Sequence, residues 1–569
     1  MVSSNRNVAA ALRLGGIAVT TLAACTAVPV LAAPGGGIAG LPGGDKNVNV
    51  DDSANSPFIQ GSLETNMTWA GSVTSQGDGV MNAPLARSTF GVTGSGIKVG
   101  VISDSYNFLG GAAGGVASGD LPGPGNPLNS TPVDVVKDDL VAGRIDEGRA
   151  MIELIHDVAP GAQIYFHSAF NNTSGPAPDQ SIADAIDALV AQGVDIIVDD
   201  VFNLRTSAYQ DGPAARSVNN AFANGIAYFS SAGNNSNRAY EHTFVDSGTV
   251  QNVGGTNFRA HSFTGDTGSD FSITADGTLD LLLNPGQSAR VTLHWDDPYA
   301  SASAPGATID TDLDLVVYSG STALTSLSSF ADQSNGADPV EFVSFINNGA
   351  SAATVGLAPL LFSTTLTPGT SPLLKMMIYG GTILDTGFAG SNAPTVFGQT
   401  AADGAISTAA MSVFDAGLND VESFSALGGV TILFDEDGNP IVEFRNKPDL
   451  TGPDGANTTF FGSDSGSDAD AFPNFFGTSA AAPHAAAVAA LLLQRAADLG
   501  ITLSVADLYN LLFTTAIDIE TPGYDLLSGH GRIDAFVALS AVPEPTTAAA
   551  LLALAAAAPL RRRRNVTAA

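Results

Sequence analysis

The chain has 569 residues, a formal net charge of −34 and only 14% charged residues. At roughly 100–200 residues per domain this length holds two to four domains and a sizeable core, while 44% hydrophobic residues exclude wholesale disorder. So acidic a balance excludes a nucleic-acid binder, and a single cysteine, Cys25, excludes a disulfide framework or a thiolate metal site.

Residues 1–33 read as an export signal. Arg6 and Arg13 supply a positive start, Leu14 to Ala33 is almost wholly apolar or small, and Leu31-Ala32-Ala33 offers a cleavage site. Leu22-Ala23-Ala24-Cys25 offers the rival reading of a lipidated cysteine, but the apolar stretch runs on past it. Residues 34–95 form an N-terminal segment.

From residue 96 strand and helix alternate. Ile97 to Ile102 is a short β-branched run suited to a buried parallel strand, and Gly110 to Pro127 is loop. Glu147 to Val158 has helical spacing, with Ala150, Met151, Leu154, Ile155 and Val158 on one side. Gln163 to Phe166 is a strand, Ser181 to Gln192 a helix, Val194 to Val198 a strand, Ala214 to Asn224 a helix and Ile226 to Ser230 a strand. Such alternation predicts a parallel sheet with helices on both faces over 96–254.

Near residue 255 the rhythm changes. Phe271 to Leu283, Ala289 to Trp295, Thr311 to Tyr318, Val340 to Ile346 and Leu373 to Tyr379 read as strands separated by Asn, Gly, Ser and Pro turns. Their spacing predicts an all-β sandwich inserted over 255–385. Alternation resumes over 386–540, with a strand at Ala405 to Val413 and helices at Ser479 to Ala496 and Val505 to Thr515. The fold class expected is therefore α/β interrupted by an all-β insertion.

Residues 541–569 begin Val542-Pro543-Glu544-Pro545, continue as an Ala/Leu run to Leu560, and end on Arg561 to Arg564. The apolar run falls short of the roughly 20 residues that span a bilayer comfortably, and the arginines would stay on the cytoplasmic side. This tail resembles the bacterial Pro-Glu-Pro sorting signal (PEP-CTERM), held in the membrane until cut; a simple single-pass anchor is the alternative. Both readings put the bulk of the chain outside the cytoplasm, at the cell surface or beyond it, with membrane contact through the tail.

The strongest motif is Phe476-Gly477-Thr478-Ser479-Ala480-Ala481-Ala482-Pro483-His484. It puts Ser479 at a helix N-terminus, where free N–H groups and the helix dipole favour developing negative charge. Here the chain resembles the subtilisin-like serine peptidases and their relatives the sedolisins. The resemblance covers about 96–254 and 385–540 and implies a subtilisin-like sheet and the cleavage of protein or peptide substrates through an acyl-enzyme. Val101-Ile102-Ser103-Asp104-Ser105 resembles the strand end carrying the catalytic aspartate, and Ser230 to Asn235 the strand end whose asparagine, Asn234, serves the oxyanion. Lys447-Pro448-Asp449 and Gly523 to Gly529 also sit where the fold has comparable segments.

The departure is at the base. Where subtilisin-like enzymes carry His-Gly-Thr, this chain reads Asp146-Glu147-Gly148-Arg149, so Glu147 stands at the histidine position. Sedolisins also use a glutamate there, with an aspartate one turn later, but Met151 occupies that later position. Sedolisins also use an aspartate at the oxyanion position, where this chain has Asn234. The expected catalytic set is thus a hybrid: Ser479 as nucleophile, Glu147 as base, Asp104 orienting it, and Asn234 with the Ser479 N–H holding the oxyanion. Two neighbouring carboxyls, Asp104 and Glu147, would share a proton, which predicts an optimum below neutrality.

The competing readings are plainer. A dead enzyme that keeps the fold as a binding module or scaffold is the alternative function. His156 lies nine residues past Glu147, on the opposite helix face, and reads as structural, as does His484. Asp199 and Asp200, ending a strand, could tune Glu147 or favour basic substrates, but equally form a solvated strand end or cation site; both stay outside the catalytic set. Asp310, Asp312 and Asp314 alternate along a strand and offer either a structural calcium site or a solvated acidic face. The chemistry expected needs no cofactor.

Overall fold

The computed structural model describes residues 71–170, 179–263, 277–303, 309–333, 336–362, 371–384 and 393–544. The expected export signal and the apolar and arginine parts of the C-terminal tail lie outside these residues. Among the described residues no helix is long and apolar enough to cross a membrane.

In chain order the first half contains helices α1 (Gln76–Val80) and α2 (Ala83–Phe90), strand β1 (Lys98–Ser103), helix α3 (Ala112–Ser118), β2 (Asp134–Lys137), α4 (Glu147–Val158), β3 (Gln163–Ser168), α5 (Asp179–Ala191), β4 (Ile196–Asp199), α6 (Pro213–Ala223) and β5 (Ala227–Ser231). An antiparallel segment follows, described below. After it come β17 (Ala405–Ser412), the hairpin β18 (Val430–Phe434) and β19 (Pro440–Arg445), β20 (Leu450–Asp454), the short β21 (Ala456–Asn457) and β22 (Asn474–Phe475), then α7 (Thr478–Asp498), α8 (Val505–Thr515) and α9 (Ala535–Ser540).

Seven of these strands form one sheet in the order β2-β3-β1-β4-β5-β17-β20, and every pairing in it is parallel. Strand pleating divides its side chains between two cores. Ile196 and Val198 join the core beneath α4, α7 and α8. Ile197, between them, joins the core beneath α5 and α6. Helices therefore cover both faces, as the alternation predicted. Gly100 in β1 leaves room for the second layer, since a Cβ there would lie 2.8 Å from Leu189 Cδ1.

The body begins earlier than residue 96. Met81, Ala83, Ala86 and Val92 are fully buried in the first core, and the buried Arg87 guanidinium pairs with Asp78 at 2.5 Å. Residues 78–92 of the N-terminal segment are thus built into the α/β body.

The antiparallel segment comprises β6 (Ala239–Thr243), β7 (Asp246–Val253), β8 (Thr256–His261), β9 (Leu279–Leu283), β10 (Ser288–Trp295), β11 (Leu313–Ser319), β12 (Thr322–Ala323), β13 (Val340–Ile346), β14 (Ala353–Phe362), β15 (Leu373–Gly380) and β16 (Thr382–Ile383). One sheet runs β13-β10-β15-β6; the other is built on β12-β11-β14-β8-β7, with β9 and β16 attached. Alternate residues of both, among them Val291, Leu293, Trp295, Leu315, Val317 and Met376, bury one common core. The expected boundary at 255 falls in the turn of the β7/β8 hairpin, where Val253 pairs with Thr256, and β6 already pairs with β15. The antiparallel region therefore starts at Ala239.

Candidate active site

Three strand ends and two helix starts converge at the carboxyl end of the parallel sheet, the place where an open α/β sheet offers a crevice. Asp104 follows β1, Asp200 follows β4 and Asn234 lies just past β5, while Glu147 opens α4 and Ser479 lies in the first turn of α7.

Asp104 acts on the start of α4 through its carboxylate. Its Oδ1 accepts the backbone N–H groups of Ser105 (2.5 Å) and Glu147 (2.9 Å), and Oδ2 accepts that of Ile145 (2.6 Å). The helix starts from Asp146, held at φ 58°, whose carboxylate takes the Ser105 hydroxyl, two loop N–H groups and the Arg149 guanidinium. Gly148 lets this first turn lie against the sheet: a Cβ there would come within 2.4 Å of the Phe166 ring. These bonds fix where Glu147 projects.

The Glu147 carboxyl is buried, with the side chains of Asp200 and Ser479 beside it. Burial raises its pKa most, the nearby Asp104 charge raises it further, and the polar Asp200 and Ser479 side chains oppose them, leaving it at about 8. Asp200 is pushed well above the usual carboxylate range, by burial first and then by the charge of Glu147. Both Asp200 oxygens are buried without a hydrogen-bond partner among the described residues, so a proton held by one of the two neighbouring carboxyls lowers the cost of burying them together. Asp104, despite its three N–H donors, is raised by burial to about 6.

On the other side of Ser479, the Thr478 N–H (3.0 Å) and hydroxyl (2.8 Å) both donate to Asn234 Oδ1. The same hydroxyl accepts the Gly233 N–H at 3.1 Å. Asn234 is thereby turned with its amide nitrogen away from Thr478, exposed and without a protein partner among the described residues. The Ser479 N–H belongs to the first turn of α7, whose donors lack intrahelical acceptors. The Asn234 amide and the Ser479 N–H are thus both left without an acceptor among the described residues.

All four residues singled out from sequence meet here. Asp104 lies close enough for its charge to raise Glu147, and Asp200 stands beside Glu147 as a second carboxyl. Sequence reasoning left Asp200 outside the set; its signal was an acid ending the apolar run Ile196-Ile197-Val198. Asp199, one residue earlier on the opposite face of the sheet, accepts the hydroxyls of Tyr228 and Ser230 instead. Thr478 was also missed, as the residue that orients Asn234.

The seven histidines are engaged elsewhere, and none hydrogen-bonds Ser479. His156 meets Asn126 at 2.8 Å and His484 meets Ser75 at 2.7 Å, and burial lowers both to about 4. In the antiparallel region Asp310 is exposed, Asp312 half-buried and Asp314 buried, so Asp314 departs from a solvated face. Among the described residues no three His, Cys, Asp or Glu side chains group as metal ligands would.

A sequence profile described as the subtilase family matches residues 139–531. No curated protein matches the chain. Solved structures similar to it include the CspB protease of Clostridium perfringens, at 12% identity and TM-score 0.49, covering 82% of this chain and 96% of that one. A lanthipeptide protease aligns at 13% identity and TM-score 0.37 over 83% and 98% of the two chains. MycP1 with its N-terminal propeptide removed aligns at 14% identity and TM-score 0.36 over 82% and 98%.

Proposed function

Because the chain belongs to the subtilase family, we propose that it is an exported serine endopeptidase in which a glutamate replaces the usual histidine base. The observation that carries this reading is the placement of the Ser479 side chain, at the start of α7, beside the buried Glu147 carboxyl. Ser479 Oγ attacks the scissile carbonyl as its proton passes to Glu147. Charge then develops on the carbonyl oxygen, which the Asn234 amide and the Ser479 N–H receive. The proton on Glu147 goes next to the leaving amine; water then attacks the acyl carbonyl, giving its proton to the same carboxylate, and as the bond to Ser479 Oγ breaks that proton returns to Ser479.

In this scheme Asp200 carries the shared proton and donates it in a hydrogen bond to the Glu147 carboxylate, while Asp104 holds the helix start in place. Export rests on residues 1–33 and on the sorting-type tail at 541–569. The substrate is a protein or peptide, and the chemistry uses no cofactor.

The inactive binding module is kept as a second reading because the burial of Glu147 and the Asp104 charge beside it favour its protonated form, which cannot accept the serine proton. Fluorophosphonate labelling of purified residues 34–540 from pH 3 to 9, with Ser479→Ala and Glu147→Gln variants, separates the two. Labelling that vanishes in both variants supports the glutamate-based peptidase. A folded protein that labels at no pH sinks it in favour of the binding module.

A further inference from the structure

Within the antiparallel segment two acceptor oxygens are buried with nothing to bond. Gln333 Oε1 and Glu341 Oε2 have no hydrogen-bond partner among the described residues, although the two residues are only 0% and 1% exposed. Their side chains touch: Gln333 Nε2 donates to Glu341 Oε1 at 2.8 Å, and the same oxygen takes the Ala331 N–H at 2.6 Å. The first bond fixes the amide, because turning it over would set oxygen against oxygen.

The fold decides what surrounds this pair. Glu341 alternates along β13 with Val343 and Phe345, which belong to the common core, so pleating puts its carboxyl on the inward face. Leu315 and Ser329 exchange backbone bonds of 3.2 and 2.9 Å, which lays the chain from Ser329 towards Gln333 beside the start of β11. Asp312, half-buried, stands just before that strand, and its charge reaches Glu341. A carboxylate on an apolar face, with a second acid near it and a bare amide oxygen in contact, carries a cost that a positive charge or a proton must offset. Burial, joined by the Asp312 charge, raises Glu341 to about 7, so its own hydrogen bonds do not meet that cost.

We propose that Glu341, Gln333 and Asp312 bind a calcium ion that ties together the two sheets of the antiparallel segment, Glu341 coming from β13 of one and Asp312 from the start of β11 in the other. Only two of the donors are acids and the third is an amide oxygen. Such a mixed set of hard oxygens suits calcium, which takes roughly six to eight oxygens in loose geometry, better than magnesium. Backbone carbonyls or water fill the remaining positions. Asp310, being exposed, stays outside the set.

The test uses the full chain stripped of metal with EDTA and needs no peptidase activity. Calcium chloride is titrated in by calorimetry, and terbium is followed by luminescence sensitised through Trp295. That indole donates to Asp297, which also takes the N–H of Thr311 beside Asp312. Calcium is expected to bind, to raise the melting temperature and to displace terbium, whose luminescence should fall in Trp295→Phe. Glu341→Gln and Asp312→Asn should each weaken calcium at least about 10-fold. Asp312 is half-buried, so its variant keeps the test decisive if Glu341→Gln fails to fold. A wild-type chain that binds no calcium overturns the proposal and leaves a proton between Glu341 and Gln333 as what satisfies them. Calcium affinity that changes less than twofold in the folded variants places the ion elsewhere and overturns it as well.

Discussion

The buried carboxyl of Glu147, on the first residue of a helix, lies beside the buried carboxyl of Asp200, which sits past the end of the central strand β4. Two buried carboxyls in this relation titrate as a unit, and the first proton leaves more easily than the second. In the proposed mechanism the singly ionised pair holds one carboxylate to accept a proton from Ser479 and one acid to steady it.

This sets the expected pH dependence. The accepting form of Glu147 appears only as pH rises through its pKa, and burial together with Asp104 raises that value to about 8. The acid optimum anticipated from two adjacent carboxyls therefore moves upward: kcat/KM should increase from pH 5 towards pH 8. Asp104→Asn removes a charge that raises Glu147, so its acid limb should shift down by about one unit. A pH–rate profile that is the same in wild type and variant would remove Asp104 from the electrostatics of the base.

Asp200 should matter to the chemistry while touching no substrate. Asp200→Ala is expected to lower kcat by about 10²-fold with little change in KM, and Asp200→Asn, which still offers a donor to Glu147, by about 10-fold. Equal losses in the two variants would point to packing alone. Steady-state kinetics across the pH range decides between them.

Stability should fall as the solution becomes alkaline. Glu147 at about 8, Glu153, Asp199 and Glu341 at about 7, and Asp104 at about 6 are all raised mainly by burial. A carboxyl raised in the folded state favours folding fully below its unfolded value, and that contribution is lost as pH rises through the folded value. Melting temperature should therefore be highest at mildly acidic pH and decline between pH 6 and 9. Glu147→Gln removes one of these groups and should lessen the decline by a few degrees, about 2–4 °C for each kcal/mol recovered. Differential scanning fluorimetry over pH 4–9 measures both slopes, and parallel curves for variant and wild type would contradict the raised value.

On the oxyanion side, Asn234→Ala should cost about 10²–10³-fold in kcat. Thr478→Val removes the hydroxyl that joins Gly233 N–H to Asn234 Oδ1 while leaving the Thr478 N–H in place. It should cost about 10-fold, through a less well oriented amide. If Asn234→Ala leaves kcat unchanged, the oxyanion is held elsewhere.

Much of this site was legible along the chain because its signals are local. A β-branched run ending in Asp104, an acid opening an amphipathic helix at Glu147, and Gly477-Thr478-Ser479 before an alanine-rich helix each depend on neighbours within a few residues. The helix at Ser479 to Ala496 was read from the same motif, and its residues Ala480 through Leu492 are buried. The start of the antiparallel region was not legible. Ala239 to Thr243 is short and mixed in polarity, and it becomes a strand through its pairing with Leu373 to Met377.

By itself the sequence determined the alternation of strands and helices, the order of the candidate residues and the absence of a histidine where the base is expected, since periodicity and short motifs are written in adjacent residues. Tertiary structure alone decided which carboxyl faces which. Pleating sends Asp199 into the sheet's hydroxyl network, whereas Asp200, just past the strand end, meets Glu147. The register of β4 against β1, with Asp199 opposite Ile102, then brings that strand end level with the start of α4. Packing between the two antiparallel sheets likewise brought the charge of Asp312 to Glu341, a proximity that no local pattern encodes.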